Sequence, residues 1–279
     1  MVDIGIIGII LIVLNFLISN KGFSSRAFFD KYKFQVSSIL VGREYVRFIS
    51  SGFLHVGWQH LIFNMITLLL FSSSMENVIG SIPFLAIYFA GLAGGGLLAL
   101  FIHRNHNDYS AVGASGAVCG VVFASIALFP GSDIGFFGIP FGIPTWLYGT
   151  AYILYSIYGI RSAKDNIGHE AHLGGALVGM ITAIIMYPVV LQTNAFTIAL
   201  ITIPAILFII FITVRPHSLL VDNSFFKSSH NITIDHKYNI ERNIQRQEID
   251  RILDKINERG MNSLTRQEKE RLEEYSKHS

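Results

Sequence analysis

The sequence predicts an all-α, polytopic membrane helical bundle with six core spans, one extra C-terminal span and a polar tail. Three observations predict it. Of 279 residues, 51% are hydrophobic and only 14% are charged, where soluble domains carry about 25% charged residues. The charges are sparse between Ser50 and Asn194 and dense after Val214. A bilayer core needs about 20 apolar residues per helix. By that measure seven runs qualify, at Val2–Ser19, Phe53–Ser73, Pro83–His103, Ala114–Phe129, Thr145–Ile160, Glu170–Leu191 and Ala195–Val214.

The first run lacks the basic flank and small-residue cleavage site of a signal peptide, so it reads as a retained helix. The loop from Asn20 to Gly52 mixes aromatic residues such as Phe23, Phe28 and Tyr32 with Lys21, Arg26, Lys31 and Lys33. That mixture favours the headgroup region and predicts short interfacial pieces. The third run carries Gly91 and Gly94 to Gly96, and the sixth Gly175 and Gly179. Small residues let helix backbones approach closely in lipid, so these are central spans. The fourth and fifth runs are short, and Gly131 to Pro144 reads as a loop dipping into the interface. The seventh is apolar all round and reads as peripheral. The organisation is thus a core over 1–192, a seventh span over 193–214, a linker over 215–238 and a small helical hairpin over 239–279. In the hairpin, Ile249, Ile252, Leu253 and Ile256 form a one-sided stripe, Gly260 is a stop, and Thr265 to Glu268 is a capping box. Nothing names a partner for this tail. The net charge of +2 gives no argument for nucleic acid, and the single cysteine, Cys119, excludes an internal disulfide framework.

Polar groups at membrane depth are costly and usually serve an interior site. His60 and Asn64 are four apart, hence on one helical face. They read either as helix glue or as two donors aimed at an oxyanion, with His55 in a separate structural role. Ser115 lies in Gly113-Ala114-Ser115-Gly116 at a helix start, where free backbone N–H groups and the helix dipole favour a developing negative charge. Its flanking glycines let a substrate backbone come close. His172 lies among small residues in Ala171-His172-Leu173-Gly174-Gly175, which permits the sixth helix to press on the fourth and bring the imidazole to Ser115. Burial favours the neutral imidazole that a general base requires. Glu170 falls on the opposite face and Asp165 in a loop, so no acid completes a triad and a Ser–His dyad is read.

At these residues the chain resembles the rhomboid family of intramembrane serine proteases. The match is His60 to Asn64, Gly113 to Gly116 and Ala171 to Gly175, in order, on the second, fourth and sixth spans. Arg47, His55, Glu76 and Gly80 also fall where rhomboids carry similar residues. The resemblance runs from about Tyr45 to Tyr187. It implies Ser115 as nucleophile, His172 as base and acid, and His60, Asn64 and the Ser115 N–H as oxyanion donors. The tail resembles a small module appended to some bacterial rhomboids, implying a bacterial inner membrane. One departure stands out: many rhomboids carry, four residues after the serine, an aromatic that packs on the histidine. Here it is Cys119, which predicts a loosely held His172.

The function expected is hydrolysis of a peptide bond in or near the transmembrane segment of another membrane protein, without metal or organic cofactor. The runner-up is a non-proteolytic rhomboid-like chaperone or scaffold binding client helices. A transporter is poorly supported, because no inverted repeat or paired broken helices are visible. The loops after spans 1, 3 and 5 hold the Lys and Arg residues. The positive-inside rule would make that side cytoplasmic, whereas the resemblance implies that Ser115 opens to the outside, and the latter orientation is adopted.

Overall fold

The computed structural model describes residues 5–135, 142–162, 167–214 and Thr265. Contacts divide the chain into two units, Met1–Ser228 and Ser229–Ser279. The linker and tail hairpin expected after Val214 lie outside the described residues, apart from Thr265.

The first unit is built from α1 (Ile6–Ser24), α2 (Arg26–Tyr32), α3 (Val36–Leu40), α4 (Arg47–Ser50), α5 (Trp58–Ile79), α6 (Ser81–His103), α7 (Ser115–Leu128), α8 (Thr145–Ser162), α9 (His169–Met186), α10 (Val190–Thr193) and α11 (Ala195–Val214). Each of the seven apolar runs holds a helix. Among the described residues five helices, α1, α5, α6, α9 and α11, are both long and apolar enough to cross a membrane. The shorter apolar α7 has 14 residues, and α8 is long but carries a more polar, tyrosine-rich sequence.

Three boundaries differ from expectation for local reasons. The second run starts as a 3-10 turn at Ser51–Phe53 and an extended stretch, so α5 begins only after Gly57 and His55 precedes it. The sixth run breaks before Pro188, whose ring cannot continue the helix. The loop from Gly131 to Pro144 closes as a short antiparallel ladder, Asp133–Ile134 against Ile143–Pro144. The first loop does hold short structured pieces, α2 to α4, and its Phe34–Gln35 strand pairs with Ser110–Ala111 just before α7.

Helices α6, α7 and α9 form the centre. Their contacts are glycine to glycine: a Cβ on Gly91 would stand 3.0 Å from the Gly120 Cα, and one on Gly120 would stand 3.2 Å from the Gly175 carbonyl oxygen. Few side chains separate the backbones here, so α7 is held in place despite being too short to span. Eleven of its fourteen residues are buried. Around this centre, α1 packs on α5 and α11 on α8. The outer faces carry residues such as Phe63, Leu70, Ile185 and Phe196, at 68–73% exposure, as expected for lipid contact.

The first helix is less plain than its composition suggests. Asn15 and Ser19 are fully buried. Ser19 donates to the Phe53 carbonyl at 2.9 Å, tying α1 to the turn before α5. At the other end Glu76 accepts from the Ile7 N–H (3.0 Å), the Gly8 N–H (3.2 Å) and the Ser81 hydroxyl (2.7 Å), satisfying the free N–H groups that open α1.

Candidate active site

The Gly113–Ser115 turn is fixed from two sides. The Gly113 N–H donates to the Ser51 carbonyl at 3.0 Å, and the Ser51 hydroxyl donates to the Arg47 carbonyl at 2.6 Å. Arg47 itself clamps the first loop, donating to the carbonyls of Asp30 (2.9 Å) and Lys33 (2.8 Å) and to the Glu44 carboxylate (2.6 Å). Its role is therefore to hold the loop that holds the turn. Gly113 has φ +135°, where L side chains are strained.

Ser115 opens α7. The first helical hydrogen bond is from the Val118 N–H to the Ala114 carbonyl at 2.9 Å, so the Ser115, Gly116 and Ala117 N–H groups form the free end of the helix. The Ser115 hydroxyl makes no hydrogen bond to another described residue. Catalytic hydrogen bonds commonly tighten only once substrate is bound.

The flanking glycines pack closely against their neighbours. A Cβ on Gly113 would stand 2.6 Å from Cε1 and 2.9 Å from Nε2 of His60, and 3.7 Å from the Ser115 Oγ. The Nε2 edge of His60 thus lies on the turn that carries the serine. Gly116 faces α9, where a Cβ would meet the Ala171 carbonyl at 3.3 Å. Gly175 faces back onto Gly116, and Gly179 onto Gly120. This contact places Ser115 and His172 at the same end of two touching helices.

Asn64 is buried one turn along α5 from His60, and its amide donates to the His60 carbonyl at 2.9 Å. One of its two N–H bonds is therefore spent within the helix, and the other remains. His55 precedes α5 and ties α1 to the turn before α7. Its Nδ1 lies 2.8 Å from the Ser19 hydroxyl, which already donates to Phe53, so Nδ1 carries the proton and donates. Its Nε2 accepts from the Ala114 N–H at 3.4 Å, one residue from the serine. Its ring packs edge-on against His60 at 4.9 Å. Burial and the neighbouring His60 push its pKa down to about 3.

One residue expected near the site, Glu76, is placed elsewhere. Glu76 stands sixteen residues along α5 from His60, about 24 Å at 1.5 Å per residue, and caps α1 instead of bordering the site. Glu170 is buried and engaged by the Tyr109 hydroxyl and by His103 Nε2 at 3.2 Å. Among the described residues no group of three His, Cys, Asp or Glu is placed to hold a metal.

Cys119 gives the largest departure from expectation. The place beside His172 is not left open. Tyr152, from α8, has its hydroxyl 3.0 Å from His172 Nδ1 and 3.2 Å from Cys119 Sγ. Its ring centroid lies 6.1 Å from that of the imidazole. The sequence carried a signal for it: Tyr148, Tyr152 and Tyr155 recur at spacings of four and three, hence on one helical face.

Fold and site define a multi-pass helical membrane protein that sets a half-buried serine, two half-buried histidines and a buried asparagine near one end of its helices. The chain matches the Rhomboid domain model over residues 42–189, more than half its length, and belongs to the rhomboid family. Residues 232–278 match a second model, described as a family of unknown function (DUF6576). The RHOMBOID-like protein 12, mitochondrial, of Arabidopsis thaliana is 30% identical over 193 residues, covering 61% of this chain and 56% of that protein. The putative rhomboid protease YdcA of Bacillus subtilis is 36% identical over 94 residues, 33% of this chain and 46% of that protein. The rhomboid protease GluP of the same organism is 30% identical over 150 residues, 53% and 27% respectively. The chain spans about half the length, or less, of these curated relatives.

Proposed function

We propose that this protein is an intramembrane serine endopeptidase. It hydrolyses a peptide bond in or near the transmembrane segment of another membrane protein. The observation that carries the reading is the α7–α9 glycine contact, which brings the Ser115 turn beside the helix start bearing His172, with the His60 Nε2 edge on the same turn. A binding protein has no use for a helix-start serine, a neighbouring imidazole and a second imidazole edge together.

In this reading Ser115 Oγ attacks the carbonyl carbon while its proton passes to His172 Nε2. The tetrahedral oxyanion is held by the Ser115 N–H, His60 and the remaining N–H of Asn64. The intermediate collapses, the C–N bond breaks, and the leaving amine takes the proton from His172. Water, deprotonated by the same imidazole, then cleaves the acyl-serine ester. A helical substrate shields its carbonyls through its own hydrogen bonds, so segments that unwind easily are the expected substrates. The membrane is proposed to be a bacterial inner membrane, on the strength of the appended tail module. The Ser115 end is proposed to face outside; an impermeant thiol reagent that failed to label Asn107→Cys in intact cells would reverse that orientation.

The test is a serine-directed fluorophosphonate and a reporter transmembrane substrate. Wild type should be labelled and should cleave; Ser115→Ala should do neither while still inserting and folding. The unpartnered Ser115 hydroxyl favours one other reading, a client-binding protein that does not cut. Labelling that persists in Ser115→Ala, or a wild type that binds the reporter without cleaving it, would support that reading over the protease.

A further inference from the structure

Tyr152 places a hydroxyl between a buried thiol of α7 and a half-buried imidazole of α9. The three polar atoms Cys119 Sγ, Tyr152 Oη and His172 Nδ1 form a chain with steps of 3.2 and 3.0 Å. Phe123 and Tyr148 pack on the tyrosine ring, with centroids at 5.7 and 5.9 Å. The ring is thus braced from α7 and from its own helix. The neighbouring titratable groups are accounted for. Glu170 is engaged by His103 and Tyr109, and His169, 6.2 Å from His172 by ring centroids, packs against Tyr155 at 4.9 Å.

The direction of the chain follows from what a base must do. An imidazole that takes a proton at Nε2 must carry its own proton at Nδ1. That N–H needs an acceptor, and the Tyr152 oxygen is within reach. The phenol must then place its own proton, and the Cys119 sulfur, a weak acceptor, is within reach. The opposite polarity, with Tyr152 donating to Nδ1, would leave Nε2 protonated and unable to deprotonate Ser115.

Resting on the serine-protease reading above, we propose that Tyr152 is a positioning residue for His172. It accepts the Nδ1–H, fixes the tautomer with a bare Nε2, and is itself oriented by Cys119. No proton moves onto the tyrosine. When His172 becomes an imidazolium during attack, the bond from Nδ1 becomes charge-assisted and shorter. The contact therefore strengthens between ground state and transition state, which is the condition for raising kcat. It also explains how the family's aromatic can be absent four residues after the serine: an aromatic from α8 stands beside the histidine instead, and a small residue at 119 makes room for it.

The experiment uses the full chain in liposomes with a reporter transmembrane substrate, comparing wild type, Ser115→Ala, Tyr152→Phe, Cys119→Ser and Cys119→Ala. Tyr152→Phe keeps the ring and should lower kcat by about 10- to 100-fold, the scale of one hydrogen bond to a charged group, with KM unchanged. The acid limb of its kcat/KM profile should move to lower pH, because the imidazolium has lost an acceptor. Cys119→Ser keeps an acceptor and should stay near wild type, while Cys119→Ala should fall in the direction of Tyr152→Phe by a smaller factor. A Tyr152→Phe enzyme with wild-type kcat and acid limb would overturn the assignment and leave the protease reading standing. So would a loss of kcat with the limb unmoved, which marks packing alone. A wild type with no turnover beyond that of Ser115→Ala would overturn the protease reading, and this assignment with it.

Discussion

Gly175→Ala is the smallest change that tests whether the α7–α9 contact assembles the site. The added Cβ would stand 2.7 Å from the carbonyl carbon of Gly116 and 2.9 Å from its Cα, where ordinary contacts are 3.4–4 Å. Both obstacles are backbone, so neither can swing aside. The Gly116 carbonyl oxygen is nearer still, so helix α9 must withdraw from α7 by at least about 1 Å, a gap that forfeits about half of the dispersion energy of each affected contact. His172 lies three residues before Gly175, on the same turn of α9, and is carried with it. A displacement of about 1 Å at reacting groups costs on the order of 10²-fold in rate. The expected result is therefore a fall of roughly that size in both kcat on a reporter substrate and the rate of fluorophosphonate labelling of Ser115. The control is Gly135→Ala, where a Cβ meets nothing within 4 Å; it should behave as wild type. Gly175→Ala labelled at the wild-type rate would refute the reasoning, since the helices would have absorbed the methyl without moving the histidine.

Three other perturbations have defined outcomes. His60→Ala and Asn64→Ala should each lower kcat by about 10²–10³ with little change in KM, the usual cost of one oxyanion donor; parallel losses of folding and activity would show helix glue instead. Cys119→Tyr should lower both thermal stability, by about 1–3 kcal/mol for overpacking, and turnover, because Tyr152 already occupies the space; a rise in either would show a void beside His172. His55 has its pKa lowered from 6.5 to about 3 by burial and by His60. The unfolded chain therefore takes up a proton below pH 6.5 that the folded protein refuses until about pH 3, so stability should fall as pH drops through that window. Melting temperatures measured from neutral to acid pH should show this slope, and His55→Asn should flatten it; an unchanged slope would assign the effect elsewhere.

The spans and the polar constellation were legible because lipid is an unforgiving solvent. His60, Asn64, Ser115 and His172 stand out against apolar neighbours whatever the tertiary structure, and glycine spacing shows which helices can meet. Helix starts were less legible. Nothing in Phe53-Leu54-His55-Val56 distinguishes an apolar 3-10 turn and extended stretch from the first turn of α5. The difference lies in long-range bonds from His55 to Ser19 and Ala114. Glu76 shows the same limit, since its partners at Ile7 and Gly8 are 69 and 68 residues away.

Tyr152 was hidden for a more general reason. A tyrosine in an apolar helix reads as an interfacial anchor, and reading position 119 alone predicts empty space beside the histidine. The volume beside an imidazole belongs to three helices, so the residue that fills it need not come from the helix that usually does. A short, glycine-lined α7 exposes its neighbours to one another, and α8 can then present a side chain to α9 past Cys119. Substituting the cysteine by a larger residue closes that passage, and substituting the tyrosine empties it. The two positions should therefore vary together in their effects. The double variant Cys119→Tyr with Tyr152→Ala should recover part of the stability that Cys119→Tyr loses, because contacting residues couple where distant ones add. Simple additivity of the two losses would mean that α7 and α8 do not share the space beside His172.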